Sequence, residues 1–252
     1  MNYFFGINNS EFSSELQIPL FQNRNKKPSN LLLYEATIHN NEWKIKQIYN
    51  RQINKDFYLL NSKDITNSNI FFLASPKDLE VKKNKLQNFN KFTETSPAYR
   101  ANLKIVLKNG GFSSYQSEYP FSMIEKKGSI LSSVCALANK NADKNYIFIK
   151  NIFVDPIIES FDIYLVDIIK KKIEEQFKIN TNYTNCFELK KSLIKPEIFL
   201  ISKNYIGIPM YVSVKNKHVS FEHTHPPHEY ILSNNKFRKI SDLKKEINEI
   251  VN

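Results

Sequence analysis

The densest grouping of chemically capable side chains in this sequence runs from His218 to Glu229: His-Val-Ser-Phe-Glu-His-Thr-His-Pro-Pro-His-Glu. It holds four of the chain's five histidines, with Glu222 and Glu229 among them. Imidazoles and carboxylates at short spacing are ligands for zinc, iron or manganese. Val219 and Phe221 alternate with polar neighbours as a strand does, so His223 and His225 are expected on one face. Two residues of strand rise put their Cα atoms roughly 6.6 Å apart, within reach of one cation. His218, Ser220, Glu222 and Thr224 then take the opposite face. Pro226 and Pro227 end the ladder and turn the chain, bringing His228 and Glu229 back towards the pair.

The expected chemistry is that of a divalent metal, Zn, Fe or Mn, held by His223, His225 and His228. The metal would acidify a bound water or polarise a substrate oxygen. Glu229 or Glu222 would act as general base or further ligand, though not both, because Glu222 should face away from His223. The alternative is a polar strand end whose histidines are hydrogen-bonded or exposed.

Two known motifs share part of this spacing, and the match stops there. His223-x-His225-xxx-Glu229 has the spacing of the first metal motif of cupins. That family needs a further histidine on a later strand, and none follows Glu229. His223-Thr224-His225-Pro226 is similar to the core of the JAMM metalloprotease signature, but Asn234 and Phe237 stand where its serine and aspartate are required.

A second stretch could bind rather than react. After the alternating run Tyr99 to Leu107 and the turn Asn109-Gly110-Gly111, the return strand carries Ser114, Tyr115, Gln116 and Glu118. Nearly every side chain there can hydrogen-bond. It would serve as a polar edge that discourages strand addition, or as a floor for a hydroxyl-rich, carbohydrate-like substrate.

The elements that must position these residues are strands joined by tight turns. Leu31 to His39 and Trp43 to Ile48 flank the turn Asn40-Asn41, with His39 at its end. Phe57 to Leu60, Ile70 to Ala74, Tyr146 to Val154, Ile198 to Ile201 and Ile208 to Val214 also read as strands. Lys215-Asn216-Lys217 turns the last of these into the histidine arm. Helices are expected after Ser75-Pro76, after Ser129, after Asp155-Pro156 and after Ser241. The third is the longest, with Val166, Ile169, Ile173 and Phe177 three and four apart.

The resulting expectation is an α+β fold, mainly antiparallel sheet built from hairpins, with about four packed helices. Residues 1–252 would form a single compact domain, with a subdivision, if any, near residue 96. Residues 1–30 would be an irregular lead-in.

Composition narrows the function. The 252 residues are 41% hydrophobic and 13% aromatic, as in a folded globule. The net charge of +11 comes from lysines scattered along the chain. Only Arg24, Arg51, Arg100 and Arg238 offer the planar fork that nucleic acids favour, so a small polar or anionic ligand is expected rather than nucleic acid. Five glycines supply neither a phosphate-binding loop nor a dinucleotide fingerprint, which excludes a nucleotide cofactor of those types. No membrane span or signal peptide is seen, so the protein is expected to be soluble and cytoplasmic. Cys135 and Cys186 are expected to be buried thiols. The leading expectation is a metal-dependent enzyme; the other is a non-catalytic binding or assembly protein with a basic, aromatic surface.

Overall fold

The structure is a computed structural model and describes residues 2–20, 31–53, 57–77, 79–80, 83–87, 101–124, 128–203, 205–223 and 234–252. The chain divides into two compact units. One comprises Met1–Glu125, Ile152–Ile158 and Asn182–Thr184; the other comprises Lys126–Asn151, Glu159–Thr181 and Asn185–Asn252.

The first unit contains β1 (Asn2–Tyr3), β2 (Phe12–Pro19), β3 (Leu32–His39), β4 (Glu42–Gln47) and β5 (Gln52–Ile53). It continues with β6 (Phe57–Asn61), β7 (Ile70–Ala74), β8 (Asn102–Leu107), β9 (Phe112–Gln116) and β10 (Tyr119–Pro120). They form an antiparallel five-stranded sheet of order β5-β6-β2-β8-β9, a three-stranded sheet β4-β3-β7, and the pair β1-β10. The β3–β4 hairpin turns on Asn40 and Asn41, both left-handed at φ 52° and 56°, a conformation asparagine tolerates. Trp43 is buried and its indole Nε1 donates to Val154 O (2.9 Å).

Residues Phe12–Pro19 were expected to be irregular, yet β2 is the middle strand of the larger sheet. Phe12, Ser14, Leu16 and Ile18 are buried at every second position. The interposed Ser13, Glu15 and Gln17 hide that period from a reading that looks for apolar runs. Ser14 has no apolar signature at all; its hydroxyl is buried because it donates to Ile7 O.

The second unit contains β11 (Ile130–Ser133), β12 (Lys144–Lys150), β13 (Ser160–Asp167), β14 (Lys172–Asn180) and, from Asn185 on, β15 (Thr184–Glu188). β16 (Ile198–Ser202), β17 (Ile208–Lys215), β18 (His218–His223) and α1 (Lys236–Ile250) complete it. Two antiparallel sheets, β11-β16-β13-β14 and β15-β12-β17-β18, share a core. Ile163, Leu165 and Leu200 come from the first sheet and Ile147, Ile149 and Tyr211 from the second. Edge strands β14 and β15 are held together by Phe177 stacked on Phe187, ring centroids 3.9 Å apart. α1 lays Leu243, Ile247 and Ile250 against Leu131, Val166 and Ile201 on the outer side of the first sheet.

The expected α+β class with four helices is therefore corrected. The fold is antiparallel β-sheet throughout, and α1 is the single α-helix among the described residues. The stretch after Ser129 is β11. At Ser75, the hydroxyl accepts from Lys77 N (3.3 Å) and closes a turn rather than capping a helix. Ser96 and Pro97 lie outside the described residues.

The longest expected helix is instead the hairpin β13–β14. Phe161, Ile163 and Leu165 are buried at period two. Asp167 Oδ1 accepts from Ile169 N (3.0 Å) and Lys170 N (2.8 Å), and Lys171 takes φ 51°, so the chain reverses there. Ile169, assigned to a core stripe by its spacing, is 75% exposed at that turn. Only the closing helix was foreseen, and it begins before Ser241, at Lys236.

Candidate functional site: the open face of a five-stranded sheet

Along β2, and along β8 as far as Val106, side chains alternate between two environments. Leu16, Ile18, Leu103 and Ile105 are completely buried on one face. Their neighbours turn to the other face, where the register aligns them in rows across the strands. One row is Leu59, Gln17, Asn102 and Gln116, on β6, β2, β8 and β9. The next is Asn61, Glu15, Lys104 and Ser114 on the same strands. Ser13, Val106 and Phe112 bound these rows at one end, and Pro19, Phe57 and Ile53 at the other.

Adjacent strands lie about 4.8 Å apart, so Gln17, Asn102 and Gln116 form a ladder of three neighbouring amides. Each amide carries both donors and an acceptor. Glu15 and Lys104 are paired neighbours in the second row, with Nζ to Oε2 at 3.6 Å. Lys104 Nζ also sits 4.7 Å from the centre of the Phe112 ring. Phe112 is 63% exposed, which costs apolar hydration unless something covers it. The β8–β9 turn fixes this edge: Asn109 adopts φ 60°, Gly110 N donates to Leu107 O (3.0 Å), and Leu107 N donates to Gly111 O (3.0 Å).

Of the residues expected to contact substrate, Ser114 and Gln116 stand exposed on this face. Tyr115 points the other way and is buried. Glu118 follows the strand, and its Oε1 accepts from Ala101 N (3.2 Å). Nothing in the β9 sequence distinguished the face-bearing residues from Tyr115 except their alternation. Gln17 and Glu15 were missed because β2 was not recognised as a strand.

The histidine arm is β18, the edge strand of its sheet. Its exposure alternates: His218, Ser220 and Glu222 are exposed, Phe221 is buried, and His223 is half-buried opposite Met210. Glu222 stands opposite Tyr211, on the other face from His223. His225, His228 and Glu229 lie outside the described residues. Among the described residues no three His, Cys, Asp or Glu side chains are grouped to hold a metal, which corrects the description of the chain by a histidine cluster. His39 is exposed at the end of β3, opposite Glu42. Cys186, expected to be buried, is exposed on β15, and Cys135 is half-buried.

Two ionisable groups stand out elsewhere. Lys150, on β12, is completely buried, and loss of hydration pulls its amine down to about 7. The sequence marked it only as a break in an apolar run. In the first unit Asp64 receives Arg51 through two bonds, Nη2 to Oδ1 (2.7 Å) and Nε to Oδ2 (2.9 Å), and a third from Asn61 N (3.0 Å). Burial alone would raise its pKa, but Arg51 and the Asn61 amide outweigh it and hold the carboxyl below its usual value. That pair ties β5 to the turn after β6; it is structural.

Among the described residues no helix is long and apolar enough to cross a membrane. No protein-family model, curated protein or solved structure matches the chain.

Proposed function

We propose that the chain is a non-catalytic binding protein whose ligand docks on the open face of the β5-β6-β2-β8-β9 sheet. One observation carries this reading. Two whole rows of that face are composed almost entirely of exposed or half-exposed hydrogen-bonding side chains in strand register, bounded by apolar side chains at each end. A solvated sheet face needs polarity, but not the exposed Phe112 ring next to the row of Glu15, Lys104 and Ser114. The arrangement offers contact area and directional bonds from rigid strands, which is what recognition requires.

The test is a side-chain amide NMR titration of the full chain, watching Gln17, Asn102 and Gln116. The probes are a neutral polysaccharide, heparin as a polyanion, and a casein digest as a peptide mixture. The expected result is a saturable shift of these three signals with one probe, which is recovered chemically unchanged. If all three signals stay fixed throughout, or the bound probe is turned over, the reading fails.

A further inference from the structure

The second unit carries a surface of another kind, where α1 meets the β13–β14 turn. Ile169, at that turn, is 75% exposed, and Phe237, in the first turn of α1, is 66% exposed. The two elements are neighbours. Lys171 Nζ lies 3.9 Å from Glu246 Oε1 on α1, and Ile168 and Ile240 pack against the same apolar cluster. Because Asp167 Oδ1 accepts from both Ile169 N and Lys170 N, the turn is braced with Ile169 directed into solvent.

Cations accompany both apolar side chains. Lys170, Lys171 and Lys172 follow Ile169. Phe237 stands between Lys236 and Arg238, with Lys239 next, and Lys236 Nζ is 5.6 Å from the centre of its ring. The lysines of the turn already have partners: Lys170 pairs with Asp167 and Glu174, Lys171 with Glu246, and Lys172 with Glu174. The surplus comes from α1, where residues 236–245 hold five cations against the single acid Asp242. Residues 224–235, just before them, add one acid, Glu229.

That order of charge works against the helix. The helix dipole favours acids in the first turn and cations in the last. α1 has no acid in its first turn and no base in its last, and Glu246 and Glu249 stand towards its C-terminal end. Helix stability therefore does not explain the cations at its start, whereas an anionic partner does.

We infer that this surface docks on an anionic lipid bilayer, with Phe237 and Ile169 entering the acyl boundary and the surrounding cations meeting lipid phosphates. A nucleic acid would meet the same cations, but the aliphatic Ile169 has no π-face to stack on a base. A small soluble anion would leave both apolar side chains in water. A bilayer with anionic headgroups takes up both kinds of group together.

The experiment is cosedimentation of the full chain with vesicles of phosphatidylcholine alone or mixed with phosphatidylserine. The wild type is expected to sediment with the mixed vesicles and to stay in solution with phosphatidylcholine. Phe237→Ser and Ile169→Ser should each weaken sedimentation about tenfold, as for one apolar side chain withdrawn from the boundary. Arg238→Ala and Lys239→Ala should each weaken it about fivefold, the effect of one cation at an anionic surface. Lys178→Ala removes an exposed cation on β14 roughly 20 Å from Lys172 and should leave sedimentation unchanged. Thermal midpoints of all five variants equal to the wild type's would show that they fold. Failure to sediment with the mixed vesicles overturns the inference. So do serine variants that sediment like the wild type, or a Lys178→Ala loss equal to that of Arg238→Ala, because either would reduce binding to total charge. If the wild type binds a single-stranded RNA through Arg238 and Lys239 and ignores both vesicles, the lipid assignment is overturned in favour of nucleic acid.

Discussion

The central sheets of the two units are built by opposite rules. In the β5-β6-β2-β8-β9 sheet, burial alternates along β2 and β8, so one face belongs to the core and the other to solvent. In the β15-β12-β17-β18 sheet, six successive residues of β12, Asn145 to Lys150, are buried, and so are Pro209 to Val214 of β17. A strand buried on both faces must be apolar or must satisfy each polar group internally. The second sheet does so at Asn145, whose Oδ1 accepts from Ser213 Oγ (2.6 Å) and Asn139 N (3.0 Å). The first sheet leaves its polar rows to solvent. Side chains held in register on a solvent-facing surface can meet a ligand, and that contrast is why the open face, rather than the buried sheet, is proposed as the site.

The contrast can be broken most sharply at neighbouring positions. Leu16→Ala and Phe148→Ala, each removing a fully buried side chain, are expected to cost about 2–5 kcal/mol in urea unfolding. A loss below about 1 kcal/mol at either position would mean the core is not where the burial places it.

Lys150 sharpens the comparison through pH. Its folded pKa of about 7 lies below its ordinary 10.5, so between these values the unfolded chain binds the extra proton. Stability should therefore rise with pH across that window, by up to about 1.4 kcal/mol per pH unit from this group, and level off below pH 7. Toward pH 10 the opposite trend sets in, because Tyr3, Tyr119 and Tyr211 are held protonated by burial. Lys150→Met should flatten the rise when unfolding midpoints are measured from pH 6.5 to 9. An unchanged slope would show that the amine is not desolvated.

A smaller effect is expected at Asp64. Its carboxylate is partly exposed, as is Arg51, so screening limits the pair and Asp64→Asn should cost about 1 kcal/mol at neutral pH. Because its folded pKa is lowered from 3.8, the wild-type contribution is present above that value and is lost as pH falls below it. The variant should lack that acid-side loss in urea midpoints taken from pH 2.5 to 6; an identical acid limb would remove the pair from the account.

Smallest of all, Gln17→Ala and Asn102→Ala should change stability by less than about 0.5 kcal/mol. Each stands one residue from a fully buried leucine, Leu16 or Leu103. Destabilisation like that of the leucines would mean the polar rows are part of the core and not a binding face.

Much of the strand pattern was legible from residue order because tight turns and β-branched alternation are local. The Asn40-Asn41 hairpin, β6, β7, β16, β17 and the β17–β18 turn stand where their side chains predicted. What failed was non-local. Apolar spacing of three and four around Val166 and Phe177 is compatible with a helix until Asp167 and Lys171 reverse the chain. β2 is polar at every second position because its sheet has an open face, which no local window reports.

The sequence by itself determined the charge, the Asn40-Asn41, Asn109-Gly110 and Lys215-Asn216-Lys217 turns, and the placing of Glu222 on the opposite face from His223. Only the tertiary structure decided that β2 lies between β6 and β8, setting Gln17 beside Asn102 and Glu15 beside Lys104. The physical reason is that cross-strand register joins residues about 85–90 positions apart in the chain through backbone hydrogen bonds. Side-chain chemistry is written locally, whereas a binding face exists only once distant strands are laid side by side.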